Sequence, residues 1–195
     1  LPEKEYLSTQ AEVNITVPDE NTTEPIDIPG HVLVDLSHGN KVSPWIFDSL
    51  QAQLAGRGVT VGYSSDWNTT KESLEYASCL IIAAPTDHYS YQEFKDIHYF
   101  VKEGRLLIFF YDPSDEFNSI PNLLWPINSI TKYWGLSFSK GYLYNQEDCY
   151  GIYRNIYIRR FENKSITQGL DEIVFFTSTN LHPTDSDAAY VPSGT

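Results

Sequence analysis

Residues 31–40 read HVLVDLSHGN. Val32, Leu33 and Val34 form an unbroken apolar run, the signature of a buried strand. The run ends at Asp35. Ser37, His38, Gly39 and Asn40 then break it with small and polar side chains suited to a tight exit loop. A strand that hands over to such a loop places polar groups where α/β proteins bind ligands, beyond a strand's carboxyl end.

The following sequence repeats that rhythm. Pro44 marks a helix start, where its missing N–H costs nothing, and WIFDSLQAQLAGRG follows. Trp45, Ile46 or Phe47, Leu50 and Leu54 define its expected apolar face, and Gly56 and Gly58 its end. VTVGYS reads as a second strand. Asp66 to Asn68 cap a short helix in TKESLEYA, and SCLIIAAP is a third strand, apolar throughout. In 89-YSYQEFKDIHYFVKEG-104, Ser90 and Glu93 form the two halves of a capping box. Phe94, Ile97, His98 and Val101 keep helical spacing. RLLIFFYD is a fourth strand. Strands alternating with helices over short connections predict a doubly wound, flavodoxin-like α/β fold, its sheet mainly parallel and its helices on both faces.

Beyond residue 112 the pattern loosens. SIPNLLWPINSITKYWG predicts one or two helices interrupted at Pro126. LSFSKGYLYN reads as a strand or hairpin, NIYIRRFE and EIVFFTST as strands, and residues 180–195 as loop. Residues 1–29 are acidic and rich in Pro and Thr, a composition for an extended or disordered linker, although 12-EVNITV-17 has edge-strand alternation. The expected organisation is a linker over 1–29, an α/β domain over 30–180 and a polar tail over 181–195.

Charge narrows the partners. A net charge of −13 argues against a positive groove for nucleic acid. The aromatic content, 14% with 14 Tyr, points to rings half-buried or lining a surface. No apolar run is long enough to span a bilayer. The chain opens on Leu-Pro without Met and reads as a processed fragment. Asn-x-Ser/Thr sequons at Asn14, Asn21, Asn68 and Asn163 point to an exported or membrane-anchored protein, with any anchor outside this chain. Cys79 and Cys149 are the only cysteines and fit two inert thiols or one disulfide.

The carboxyl ends of the first, third and fourth strands should share one rim. That rim gathers Ser37, His38, Gly39 and Asn40, then Asp87, His88 and Tyr89, then Asp112, Asp115 and Glu116. His38 is a candidate general base or metal ligand, against the alternative of a loop residue bonded to backbone. Gly39 suits an unusual backbone angle, and Asp35 suits an anchor for the loop. Asp87 fits either a pair with His88 or a local turn. The acidic turn at Asp112 and Asp115 fits either a hard cation or ordinary turn chemistry. Tyr142, Tyr144 and Asn145 fit an aromatic shelf or a packed hairpin. Phosphate-loop, dinucleotide, nucleophile-elbow and zinc motifs are all missing, so no cofactor and no metal is expected.

The order VLVDLSHGN, then LIIAAPTDHYSYQEFKDIHYFVKEGRLLIFF, then a Tyr-Asp turn resembles the class I glutamine amidotransferase-like fold over residues 30–180. It is more narrowly similar to a prokaryotic family of that fold that opens on Asp-x-Ser-His-Gly, here Asp35, Ser37, His38 and Gly39. The amidotransferase-like domain of an intraflagellar transport protein opens similarly. Active amidotransferases carry a nucleophilic Cys on the turn after the fourth strand, and this chain has Tyr111-Asp112-Pro113 there. Cys79 falls at the opposite end of the sheet. Cys149 sits beside Glu147 and Asp148, a poor setting for a thiolate nucleophile. The resemblance therefore implies a fold kept for binding or assembly, with further strands usual after the segment matching EIVFFTST. The expected function is a non-catalytic module for a small polar ligand or partner protein. The alternative is a hydrolase or metal-dependent enzyme using His38 and His88 with Asp87, Asp112 or Asp115. A third reading is a purely structural domain, in which the rim's His and Asp side chains are all bonded to backbone. If the rim is a site, replacing His38 with Ala should harm binding more than folding.

Overall fold

The structure is a computed structural model that describes residues 30–113 and 123–183. The predicted linker, Asp115, Glu116 and residues 184–195 lie outside the described residues.

Four strands form one parallel sheet: β1 (Val32–Asp35), β2 (Val61–Ser64), β3 (Cys79–Ala83) and β4 (Leu106–Phe110), in the order β2-β1-β3-β4. Val34 stands level with Tyr63 on one side and Ile81 on the other, and Ile81 with Ile108. Among the described residues, four α-helices accompany the sheet: α1 (Asp48–Ala55), α2 (Trp67–Ser73), α3 (Tyr91–Lys102) and α4 (Leu124–Thr131).

Strand alternation sends side chains to two cores. Leu33, Leu80 and Ile82 pack with Ile97 and Phe100 of α3 and Ile127 and Ile130 of α4. Val32, Val34 and Ile81 face the other way, toward Phe47 and, at its margin, Leu54. The sheet is thus covered from both sides, as the sequence pattern predicts. Order changes direction between β1 and β3, because the chain winds outward from β1 first to β2 and then back to β3 and β4.

Several local readings are corrected. Pro44 opens a short 3-10 turn, Pro44–Phe47, before α1. Of the expected apolar face only Phe47 is buried, whereas Trp45, Ile46 and Leu50 are exposed. On α3 the buried stripe is Ile97 and Phe100, and His98 lies outside it. The capping box forms as predicted, with the Glu93 N–H on Ser90 Oγ at 3.3 Å and the Ser90 N–H on Glu93 Oε2 at 2.5 Å.

Pro126 does not interrupt its helix. It sits in the first turn of α4, where a missing N–H leaves no intrahelical bond unmade. After a 3-10 turn at Lys132–Trp134, Gly135 takes φ +68° and leads into β5 (Leu136–Phe138). β5 pairs antiparallel with β8 (Leu181–Pro183), so the first residues read as loop tail are a strand. β6 (Asn155–Ile158) and β7 (Ile173–Phe176) form a separate antiparallel pair. Cys79 and Cys149 are both free thiols; Cys79 is the first residue of β3, at the end of the sheet away from the rim.

Candidate functional site

β1 and β3 are adjacent and parallel, so their exit loops meet at the point where strand order reverses. The two loops are tied together by backbone. The N–H groups of Thr86 and Asp87 both donate to His38 O, at 2.9 and 3.0 Å, and the Lys41 N–H donates to Ala84 O at 2.9 Å. Asn40 adds a side-chain clamp, donating through Nδ2 to Ala83 O at 2.8 Å and accepting the His38 N–H at 3.0 Å.

Gly39 makes this closure possible. Its φ is +60°, and a Cβ built there would lie 2.2 Å from Thr86 Oγ1 and 3.1 Å from Asp87 Oδ2. Both the backbone angle and the close approach of the β3 loop exclude a side chain.

Beneath the loop lies a buried polar cluster. Asp35 is fully buried at the end of β1 and acts as its hub. Oδ1 accepts the Ser37 N–H at 3.0 Å and the Ser37 hydroxyl at 2.6 Å. Oδ2 accepts the Tyr89 hydroxyl at 2.5 Å and lies 3.1 Å from His38 Nδ1. Ser37 Oγ is also 2.9 Å from Nδ1, and since its own proton goes to Asp35, the imidazole Nδ1–H is the donor between them. The other ring nitrogen, Nε2, lies 3.5 Å from Glu93 Oε2. The His38 ring stacks on Tyr89 at 3.7 Å and meets Trp67 edge-on at 5.6 Å.

This arrangement decides the charges. Burial alone would raise Asp35, but the bond and charge of His38, with the Ser37 and Tyr89 bonds, hold its carboxyl below the ordinary value. For His38, burial acts to lower the imidazole. Asp35, through its bond and its charge, and then Glu93 outweigh that and hold His38 above its ordinary value. Burial and the neighbouring Asp35 charge push the Tyr89 hydroxyl well up. The cluster couples the Asp35 carboxylate to His38 on one side of the ring, with Glu93 on the other and the Tyr89 hydroxyl as a donor.

The predicted rim residues therefore divide. Ser37, His38, Asn40 and Tyr89 form or clamp the buried cluster, while Gly39 closes the loop over it. The His38 ring bonds to carboxylates and a hydroxyl rather than to backbone, so it holds the loop through side chains. Asp87 and His88 are exposed and, both being described, form no ion pair with each other. Asp112 is exposed beyond β4 and makes its own interactions. Among the described residues, no group of three or more His, Cys, Asp or Glu side chains is placed to hold a metal ion. Glu93 and Trp67 complete the cluster from α3 and α2. The capping box was visible in sequence, but nothing local signalled that its Glu also reaches His38.

Two surface cavities lie away from this rim. One, of about 390 Å³, is between α2 and α3 and includes Lys71, Asp96 and Arg105. The other, of about 330 Å³, is formed around Arg159, Asn163 and Asp171. No helix among the described residues is long and apolar enough to cross a membrane.

Fold and site together define an α/β domain with a four-stranded parallel sheet and a polar rim at its switch point. Among solved structures this chain is similar to the one described as "mmIFT52 N-terminal domain", at 17% identity and a TM-score of 0.62, over 78% of this chain and 73% of that one. At that identity the likeness shows a shared fold. No family model matches the sequence. No curated protein matches it.

Proposed function

We propose that this chain is a non-catalytic binding module, part of a larger exported or membrane-anchored protein, that engages a partner protein through the rim of β1, β3 and β4. The observation that carries this reading is the inward commitment of the acid–base groups. Asp35 is fully buried, His38 is only 5% exposed, and both ring nitrogens already face Asp35, Ser37 or Glu93. A general base needs a free nitrogen within reach of a substrate proton. Here the imidazole is enclosed with both nitrogens facing other side chains, a scaffold for the loop.

The outer layer suits contact instead. Gly39, Lys41, Asp87, His88 and Ser90 are exposed on the exit loops above the buried cluster, and Tyr91 is exposed at the start of α3. The likeness to the N-terminal domain of another protein supports a role in assembly, since a fold recurring as a module within longer chains fits a docking unit. Exposed Asn163, in one of the sequons, supports the exported setting.

The test places a photo-crosslinking residue at His88 and, as a control, at Gln53 on α1. A discrete protein adduct at position 88, reduced by Asp87→Ala and missing from position 53, supports the reading. Turnover of ester, amide or phosphoester substrates that His38→Ala abolishes would overturn it.

A further inference from the structure

We infer that the α3 end of the rim is a proton-gated latch: when the His38 ring gives up the proton on Nε2, Glu93 leaves the ring, and the first turn of α3 beside Ser90 and Tyr91 loosens. As a control on partner contact the latch rests on the reading of the rim proposed above.

The geometry turns on one oxygen. Glu93 Oε2 accepts the Ser90 N–H at 2.5 Å and lies 3.5 Å from His38 Nε2. The same atom therefore closes the cap of α3 and faces the imidazole. On the other side of the ring, Nδ1 lies 3.1 Å from Asp35 Oδ2 and 2.9 Å from Ser37 Oγ. Each ring nitrogen thus meets a carboxylate, and only the doubly protonated ring can donate to both. A neutral ring carries one N–H and one lone pair. It must set that lone pair against a carboxylate oxygen, acceptor against acceptor.

Packing decides which side gives way. Asp35 is fully buried, and its oxygens also hold the Ser37 N–H, the Ser37 hydroxyl and the Tyr89 hydroxyl. Because the Ser37 proton goes to Asp35, Nδ1 keeps its own as the donor between them. The proton that leaves is the one on Nε2, which faces Glu93. The Glu93 side chain retains 19% exposure, so its carboxylate can exchange the ring for water. Its departure takes the acceptor of the Ser90 N–H with it and leaves half of the capping box unmade.

The remaining neighbours do not offer a second outlet. Tyr89 stacks on the ring at 3.7 Å and gives its hydroxyl proton to Asp35. From α2 the ring meets Trp67, which carries no charge. Asp66, next to Trp67, is exposed and turned to the Asn68 and Thr69 N–H groups that it caps. Burial disfavours the charged ring, but Asp35 and then Glu93 outweigh it and hold His38 above its ordinary 6.5. The charged form is present below that value and is lost as pH rises through the folded value, so the latch opens on the alkaline side. Ser90 and Tyr91 are exposed at the rim, and contact through them weakens as it opens.

Amide exchange followed by NMR on the full chain, from below to above the His38 transition, tests this. Rates are expressed as protection relative to the unstructured amide, which removes the intrinsic rise of exchange with pH. Protection of the Ser90 N–H should fall about fivefold, the worth of a typical helix cap, with the midpoint that the His38 ring signals show in the same samples. Ile97 and Phe100, in the buried stripe of α3, should keep theirs. Glu93→Gln retains a capping acceptor without the charge, and should hold Ser90 at every pH while His38 still titrates. Glu93→Ala should leave Ser90 released throughout. The readout needs no partner, so it separates the latch from the rim's role, which cross-linking at position 88 tests. Constant Ser90 protection across the His38 transition overturns the inference. So does a step that persists in Glu93→Gln, or a loss of protection shared equally by Phe100.

Discussion

Replacing Asp35 with Ala removes the hub of the buried cluster, and its consequences can be worked through. The substitution leaves His38 without its main counter-charge and Tyr89 without its acceptor. Removing one partner of a buried ion pair costs about 3–5 kcal/mol, and an orphaned buried hydroxyl about 1–3. These losses share one site and do not add, since His38 can shed its proton. We expect a net loss of about 4 kcal/mol. For a domain of this size that lowers Tm by roughly 8–16 °C. Asp35→Asn keeps an acceptor but loses the charge, and should fall between wild type and Ala. Asp87→Ala, at an exposed side chain on the same rim, should shift stability by under about 0.5 kcal/mol. The loss also has a pH signature. Asp35 is held below its ordinary 3.8, so its contribution is present above that value and disappears as pH falls through the folded value. His38 is held above its ordinary 6.5, so its contribution is complete below 6.5 and disappears as pH rises through the folded value. The gap between wild type and Asp35→Ala should peak between those limits and narrow on either side. Chemical denaturation across pH measures it. A gap below about 1 kcal/mol near pH 5.5, or one independent of pH, would refute the reasoning.

Three further outcomes follow from the same geometry. Gly39→Ala should cost about 2–4 kcal/mol, from positive φ and the clash with Thr86, and Thr86→Ala in the same chain should recover part of it in thermal melts. Ser90→Ala should cost about 1 kcal/mol by removing the α3 cap, while Glu93→Gln should also lower the His38 pKa, which proton NMR reads directly. His38→Ala should lower stability by about 2–4 kcal/mol through the orphaned Asp35 and the lost stacking on Tyr89, a cost to folding that any loss of binding would have to exceed. Equilibrium unfolding checks this, and an unchanged midpoint would return His38 to the list of exposed functional groups.

Much of the fold was legible because its signals are local. The apolar runs ending at Asp35 and Ala83, the Ser90–Glu93 capping box and the glycine after His38 each depend on a few neighbouring residues, and all form as expected. The rim followed from topology once the strands were placed. What sequence hid depends on distant partners. Trp45, Ile46 and Leu50 have helical spacing, but spacing does not reveal whether anything packs there. β5 finds β8 more than forty residues away, and no short-range turn announces that pairing. Glu93 reaches His38 because α3 starts beside the β1 loop, a juxtaposition that only the folded sheet creates.

The central claim is that His38 is an enclosed imidazolium supporting a contact surface, and its titration by ¹⁵N NMR tests this most directly. We predict a single transition above 6.5, shifted downward in Asp35→Asn. A His38 that titrates at or below 6.5, unaffected by Asp35→Asn, would contradict it.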